Sequence, residues 1–152
     1  MKPSAKTWLL FELPLTDYVE AWNLQRRLVS AKARGEIHDD IILSLQHPPV
    51  FTLGRRGGRE SLRVSEEFLK KSGIPLVQIE RGGSITFHNP GQLVVYPIID
   101  LEAAGLRVDE YVYGLEEAMI RAAAVWGITA GRNRLNKGVW VGGDKLGSIG
   151  IT

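Results

Sequence analysis

Apolar and polar positions follow two periods along this chain, and the changes of period mark its elements. Thr7 to Leu13 (TWLLFEL) has the composition of a strand, and Pro14 closes it. From Asp17 the period lengthens. Tyr18, Ala21, Trp22, Leu28 and Val29 share one face of a helix, Asp17 and Glu20 have capping-box spacing, and Gly35 is a stop signal. The opposite face carries Arg26, Arg27, Lys32 and Arg34 and reads as solvated. Ile41 to Leu45 is a buried-type strand, and Pro48 and Pro49 separate it from a short strand at Val50 to Leu53.

The stretch from Gly54 to Val64 (GRRGGRESLRV) is glycine-rich and basic. It reads as a mobile loop, or as a weak anion cradle without a Walker pattern. Ser65 caps a short helix, SEEFLKKSG, and PLVQIE is a strand. Gly82 and Gly83 allow a tight turn before the strand SITFH, and Asn89-Pro90-Gly91 turns the chain into QLVVYPIIDL. The clearest helix begins at Asp109 as cap and ends at Gly127. Its apolar face is Tyr111, Val112, Leu115, Met119, Ala122, Ala123 and Trp126. A strand at Val139 to Val141, a Gly-Gly-Asp turn and a strand from about Lys145 close the chain. This order predicts an α+β fold with a mixed, mostly antiparallel sheet flanked by helices, rather than an alternating βαβ array. No glycine fingerprint opens a helix after a strand, so a dinucleotide fold is disfavoured.

Composition narrows the function classes. The 152 residues suit one domain. Formal net charge is +2, too balanced to argue for nucleic acid or an anionic membrane as partner. No segment approaches the roughly 18 apolar residues of a membrane span, and a cytoplasmic protein is expected. The chain has no cysteine, which excludes disulfides, thiolate metal sites and a cysteine nucleophile within these residues. His38 and His47 read as isolated, and with His88 they fit no standard zinc spacing.

Two stretches carry candidate chemistry. In the strand after Gly83, side chains alternate, so Ser84, Thr86 and His88 share one face, while Ile85 and Phe87 take the other and can face the core. A small polar face ending in an imidazole suits a site that handles a carbonyl. It equally suits a turn whose backbone needs partners. The second stretch is GGDKLGSIGI. Lys145 is framed by glycines at 142, 143 and 147, and a lysine near other cations can serve in proton transfer. An ordinary hairpin lysine has the same signature.

QHPPVFTLGRRGG, RGGSITFHNPGQLVVYPIIDL and GVWVGGDKLGSIGI, in that order and with a long helix between the last two, resemble the octanoyltransferase family of lipoate biosynthesis. The resemblance runs from about Leu9 to the end. It implies the mixed-sheet fold shared with lipoate and biotin protein ligases. It implies transfer of an octanoyl group from acyl carrier protein to a lysine of lipoyl domains, those of 2-oxoacid dehydrogenases and of the glycine cleavage H protein. No cofactor, nucleic acid or membrane is implied.

Residue by residue, Arg81, Gly82, Gly83, Ser84, Ile85, Thr86, Phe87 and His88 correspond to the family's substrate-binding strand, and Ser148, Ile149 and Gly150 to a second binding segment. Lys145 corresponds to the catalytic lysine, which lowers the nucleophile's pKa and shuttles a proton. The C8 tail implies an apolar tunnel, with each buried CH₂ worth about 0.8 kcal/mol. The family's nucleophile is a cysteine beyond the lysine block, which this chain lacks. The chain is therefore expected to be a single domain incomplete at its C-terminus, stopping inside a strand, and inactive alone. The alternatives are an ATP-dependent ligase, for which the Gly54 to Arg59 loop is the only candidate phosphate site, and a non-catalytic acyl-binding module of the same fold.

Overall fold

The computed structural model describes residues 8–58, 60, 62–134 and 137–152. Thr7, of the expected first strand, and Arg59 and Ser61, of the glycine-rich loop, lie outside them. The chain divides into two compact units, Met1–Asp100 with Thr152, and Leu101–Ile151.

In the first unit, β1 (Trp8–Leu15) and β2 (Asp40–Gln46) run parallel, and α1 (Tyr18–Ala33) is the crossover that a parallel pair requires. β6 (Val94–Ile98) pairs antiparallel with the other side of β2. Pro14 lies within β1 rather than after it. The position is tolerable because β1 is an edge strand and its register shifts between Glu12 and Leu15. The second ladder has β3 (Val50–Leu53) at its centre, parallel to β4 (Leu76–Gln78) and antiparallel to β5 (Ile85–His88). Ser65 caps α2 (Glu66–Ser72), accepting from the Phe68 N–H, and Gly73 ends it with φ +65°.

Asp17 caps α1 as the sequence predicts, accepting from the N–H groups of Val19 and Glu20. Two core clusters form under this helix. Ile41, Leu43 and Ile98 pack with Leu24 and Leu28, and Tyr18, Val50 and Ile79 pack with Trp22 and Val77. Val29, expected in the core, is 54% exposed. The seam passes through Gln25 instead, whose amide donates to the Ala21 carbonyl. Lys32, expected on a solvated face, is nearly buried. Its Nζ lies 3.2 Å from the Asp40 carboxylate and donates to the Asp39 carbonyl at 2.7 Å. The buried carboxylate and the carbonyl give this side chain polar partners in place of water.

The second unit holds α3 (Val108–Val125) and an antiparallel ladder of β7 (Gly131–Arg132), β8 (Val139–Val141) and β9 (Asp144–Gly147). Arg107, not Asp109, occupies the N-cap position of α3. Its N–H donates to the Glu110 carboxylate, and Asp109 sits in the first turn, paired with the Arg107 guanidinium. Trp126, expected on the buried face, is 83% exposed, whereas Glu116 is 2% exposed. Its carboxylate accepts from the Gly138 N–H at 2.9 Å and lies 3.2 Å from Arg132 Nε. The Arg132 guanidinium also sits 3.7 Å from the Tyr113 ring centre. Ser148 to Thr152, expected to continue a strand, have no regular secondary structure.

Four of the six strand pairings are antiparallel, so the expected mixed, mostly antiparallel α+β arrangement holds among the described residues. No helix among them is long and apolar enough to cross a membrane.

Candidate functional site

The polar ridge of the first unit is built by backbone before side chains enter. Gly83 has φ +93°, the left-handed conformation that favours glycine, and delivers the chain into β5. The glycine-rich loop lies against this turn. Gly54 N–H donates to the Ser84 carbonyl at 2.6 Å, Arg55 N–H to Arg81, and Arg56 N–H to Gly83. A Cβ on Gly57 would stand 2.6 Å from the Ser84 carbonyl carbon, and one on Gly54 would stand 2.6 Å from the Gly83 oxygen. The loop is thus pinned where the sequence predicts mobility, and its glycines permit backbone contact. The Gly57 N–H returns to the Gly54 carbonyl, and the Gly58 N–H goes to the Glu60 carboxylate. Every N–H from Gly54 to Gly58 is therefore spent within the protein.

Arg81 fills the angle between β3 and β5. Its Nη2 lies 2.8 Å from both Thr52 Oγ1 and Thr86 Oγ1 and 3.0 Å from the Thr52 carbonyl, and its Nη1 reaches the Gly82 carbonyl. Thr52 and Thr86 are directly opposite in the ladder, so one guanidinium nitrogen ties the two strands. Thr52 is fully buried, while Phe87 is 39% exposed and packs on Phe51 with ring centres 4.6 Å apart. The expected sense of β5 is reversed. Its polar face turns toward the interior, and Phe87 turns outward.

His88 continues this face, and it is not alone. Its ring stacks on Tyr18 at 5.7 Å and meets His47 edge-on at 5.4 Å. His47, expected to be isolated, is fully buried. Its Nδ1 lies 2.8 Å from the Thr16 carbonyl and its Nε2 2.9 Å from the Tyr96 hydroxyl. A carbonyl only accepts, so Nδ1 carries the hydrogen and Tyr96 donates to Nε2. Tyr96 also shares side-chain hydrogen bonds with Gln25 and Tyr18. The cluster could have been sought at sequence level in the residue after β2: an imidazole beside two prolines, at the end of a buried strand, has to find partners.

Burial holds both imidazoles below the ordinary histidine range. For His47, the Thr16 carbonyl and Asp17 oppose it. For His88, Gln92 opposes burial while His47 and Arg81 add to it. Burial also raises the Tyr18 and Tyr96 hydroxyls. For a histidine whose folded pKa is depressed, the stability contribution is complete above the unfolded value of about 6.5. It drains as pH falls through that value toward the folded one.

In the second unit, Lys145 lies in β9 opposite Trp140, with Nζ 5.4 Å from the Trp140 ring centre. Gly138 has φ +119°, and a Cβ there would stand 2.6 Å from Lys145 Cε. The lysine stem therefore lies across Gly138, whose N–H is held by Glu116. Ser148 and Gly150 are exposed and Ile149 half-buried. An open cleft of about 480 Å³ runs along Thr129 to Arg134 with Trp140 and Gly142, and a second lies along α1 at Leu24 and Leu28. Neither is lined by the expected site residues. No group of acidic, histidine or cysteine residues that could hold a metal occurs among the described residues.

Residues 17–152 match the family model described as the lipoyl protein ligase A/B catalytic domain. The chain belongs to this family. It is 49% identical over 144 residues to an octanoyltransferase of Desulfotalea psychrophila, a match covering 93% of this chain and 65% of that protein. It is 46% identical to an octanoyltransferase of Syntrophobacter fumaroxidans, covering 93% of this chain and 62% of the relative. The chain thus spans somewhat less than two thirds of the length of these relatives. Among solved structures it resembles a lipoate-protein ligase A bound with ATP, with TM-score 0.62 and 20% identity. That likeness covers 93% of this chain and 59% of the ligase and shows the shared fold. The ridge and the Lys145 hairpin both fall within the residues that match the family.

Proposed function

We propose that this member of the lipoyl protein ligase A/B family serves octanoyl transfer in lipoate biosynthesis, as an acyltransferase rather than an ATP-dependent ligase. The observation that carries the reading is the 49% and 46% identity to proteins named octanoyltransferase. The spent amides of Gly54 to Gly58 favour it over the ligase, because a phosphate cradle needs free N–H groups. Thioester-to-amide transfer is downhill and needs no nucleotide.

In this reading the donor is octanoyl-acyl carrier protein and the acceptor a lysine of a lipoyl domain, in the cytoplasm. Gly82, Gly83 and Ser84 let the donor approach the backbone. Arg81 acts from behind the ridge, holding Thr86 and, through β5, His88. Ile85 and Phe87 back the strand from its other face, and Ser148, Ile149 and Gly150 form a second binding segment. Lys145 supplies the cation that favours a thiolate and carries its proton. The 152 residues hold no cysteine, so the thiolate that accepts the octanoyl group is not among them.

The test is mass spectrometry of a lipoyl domain incubated with octanoyl-acyl carrier protein and the protein expressed from its natural coding sequence. Transfer of one octanoyl group to one lysine without ATP is expected. Residues 1–152 alone should take up no covalent octanoyl group. Transfer only with ATP and free octanoate, with pyrophosphate released, would establish the ligase instead. Binding without transfer would leave the non-catalytic module.

A further inference from the structure

Gln92 belongs to the turn that leads out of β5 and has no role in the reading above. The turn is tightly held. Pro90 and Gly91 occupy its centre, Gly91 has φ +92°, and the Gln92 N–H donates to the Asn89 carbonyl at 3.2 Å. Gln46, at the end of β2, accepts from the Gly91 N–H at 2.8 Å. The Gln92 side chain therefore departs from a fixed backbone. Its Nε2 lies 3.4 Å from the Phe87 carbonyl and its Oε1 2.6 Å from His88 Nδ1. The first contact orients the amide, since a carbonyl requires a donor. The second then follows: Oε1 accepts, so His88 Nδ1 carries the hydrogen.

The other nitrogen is left with its lone pair. Among the described residues no hydrogen bond engages His88 Nε2, and His88 is half-buried rather than enclosed. A half-buried ring with this nitrogen unengaged can offer it to a ligand. The groups that face this ring are Tyr18 from α1, His47 after β2 and Arg81 before β5. His47 has the same tautomer for the same kind of reason, but its Nε2 is occupied by Tyr96. The cluster thus holds two imidazoles of one tautomer, one closed and one open.

We propose that Gln92 is a positioning residue that fixes His88 in the Nδ1–H tautomer, so that Nε2 receives a hydrogen-bond donor of the substrate. The inference rests on the acyl-transfer reading for what binds there. The group at Nε2 is an N–H of the donor's pantetheine arm or the acceptor amine, not the thioester carbonyl oxygen, which would face a lone pair. Carbonyl recognition then falls to other donors of the ridge, such as the Thr86 hydroxyl.

The decisive measurement is the long-range ¹H–¹⁵N spectrum of the His88 ring at neutral pH, in the protein expressed from its natural coding sequence. A protonated Nδ1 and an unprotonated Nε2 are expected; the reverse tautomer in the wild type would overturn the proposal. Gln92→Glu should keep the tautomer and raise the pH at which the ring titrates, because a carboxylate favours the imidazolium. Gln92→Leu should move the ring toward the Nε2–H form and lower kcat/KM by about tenfold, the worth of one ordinary hydrogen bond. A ring spectrum unchanged in Gln92→Leu would contradict the assignment. If the spectra behave as stated but no acyl transfer is found, the functional reading fails and the positioning stands.

Discussion

Replacing Arg81 by methionine should cost about 3 kcal/mol of stability and move the titration of His88 to higher pH. The stability loss follows from Thr52, which is fully buried and would lose the donor to both its hydroxyl and its carbonyl. Thr86 and Gly82 lose theirs as well. The shift follows from charge. Arg81 is one of the groups that hold His88 below the ordinary histidine value, so removing the cation lets the ring protonate more readily. Arg81→Lys separates the two effects. It keeps the positive charge and so the low His88 titration, but one ammonium cannot meet the Gly82 carbonyl and the Thr52–Thr86 pair as two guanidinium nitrogens do, so part of the stability loss remains. Urea unfolding gives the first quantity and an NMR titration of His88 the second. An Arg81→Met protein with an unchanged urea midpoint would show that Arg81 does not tie β3 to β5.

A comparable loss is expected for Glu116→Leu in the second unit. The variant removes the partner of the Gly138 N–H and one of two carboxylates around Arg132. Breaking a buried pair from one side typically costs 3–5 kcal/mol. Arg132 keeps Glu117 and the Tyr113 ring, which places the expected loss near the lower bound, at about 3 kcal/mol. Gly138 underlies the Lys145 stem, so octanoyl transfer should fall as well, beyond what the unfolded fraction accounts for. Glu116→Gln keeps an acceptor for Gly138 and should retain more of both. Equal stability of wild type and Glu116→Leu in urea would remove Glu116 from this role.

The elements themselves were legible because they rest on local signals. Asp17 and Ser65 cap helices where their spacing predicts, and Pro90-Gly91 makes its turn. Periodicity assigns residues to a face but does not say what covers that face. Trp126 sits on the predicted apolar stripe and stands exposed, while Glu116 lies buried because Arg132 and Gly138 come to meet it. Lys32 looked solvated for the same reason: its partners, Asp39 and Asp40, belong to the next element. Gln25 interrupts the apolar seam of α1, and its partner there is Tyr96.

The ridge was half visible. Alternation in β5 correctly grouped Thr86 with His88. Composition suggested that Phe87 faces the core, yet the interior belongs to the polar side, where Arg81, Tyr18 and His47 satisfy one another. His47 comes from a segment forty-one positions before His88; its setting calls for partners, but nothing in either stretch says that His88 is one of them. The glycines of the Gly54 to Gly58 loop suggested motion or an anion. Gly54 and Gly57 are there because backbone must lie on backbone.

Resemblance in the sequence suffices to place the chain in its family, and the geometry adds which atoms of the ridge remain to be used. The most direct test is addition of octanoyl-acyl carrier protein to the isotope-labelled protein, with unacylated carrier protein as reference. Chemical-shift changes that depend on the octanoyl group should concentrate at Ser84, Thr86 and the open nitrogen of His88. Changes confined to the clefts along α1 or at Thr129 to Arg134, with the His88 ring unmoved, would contradict the claim that this ridge receives the acyl donor.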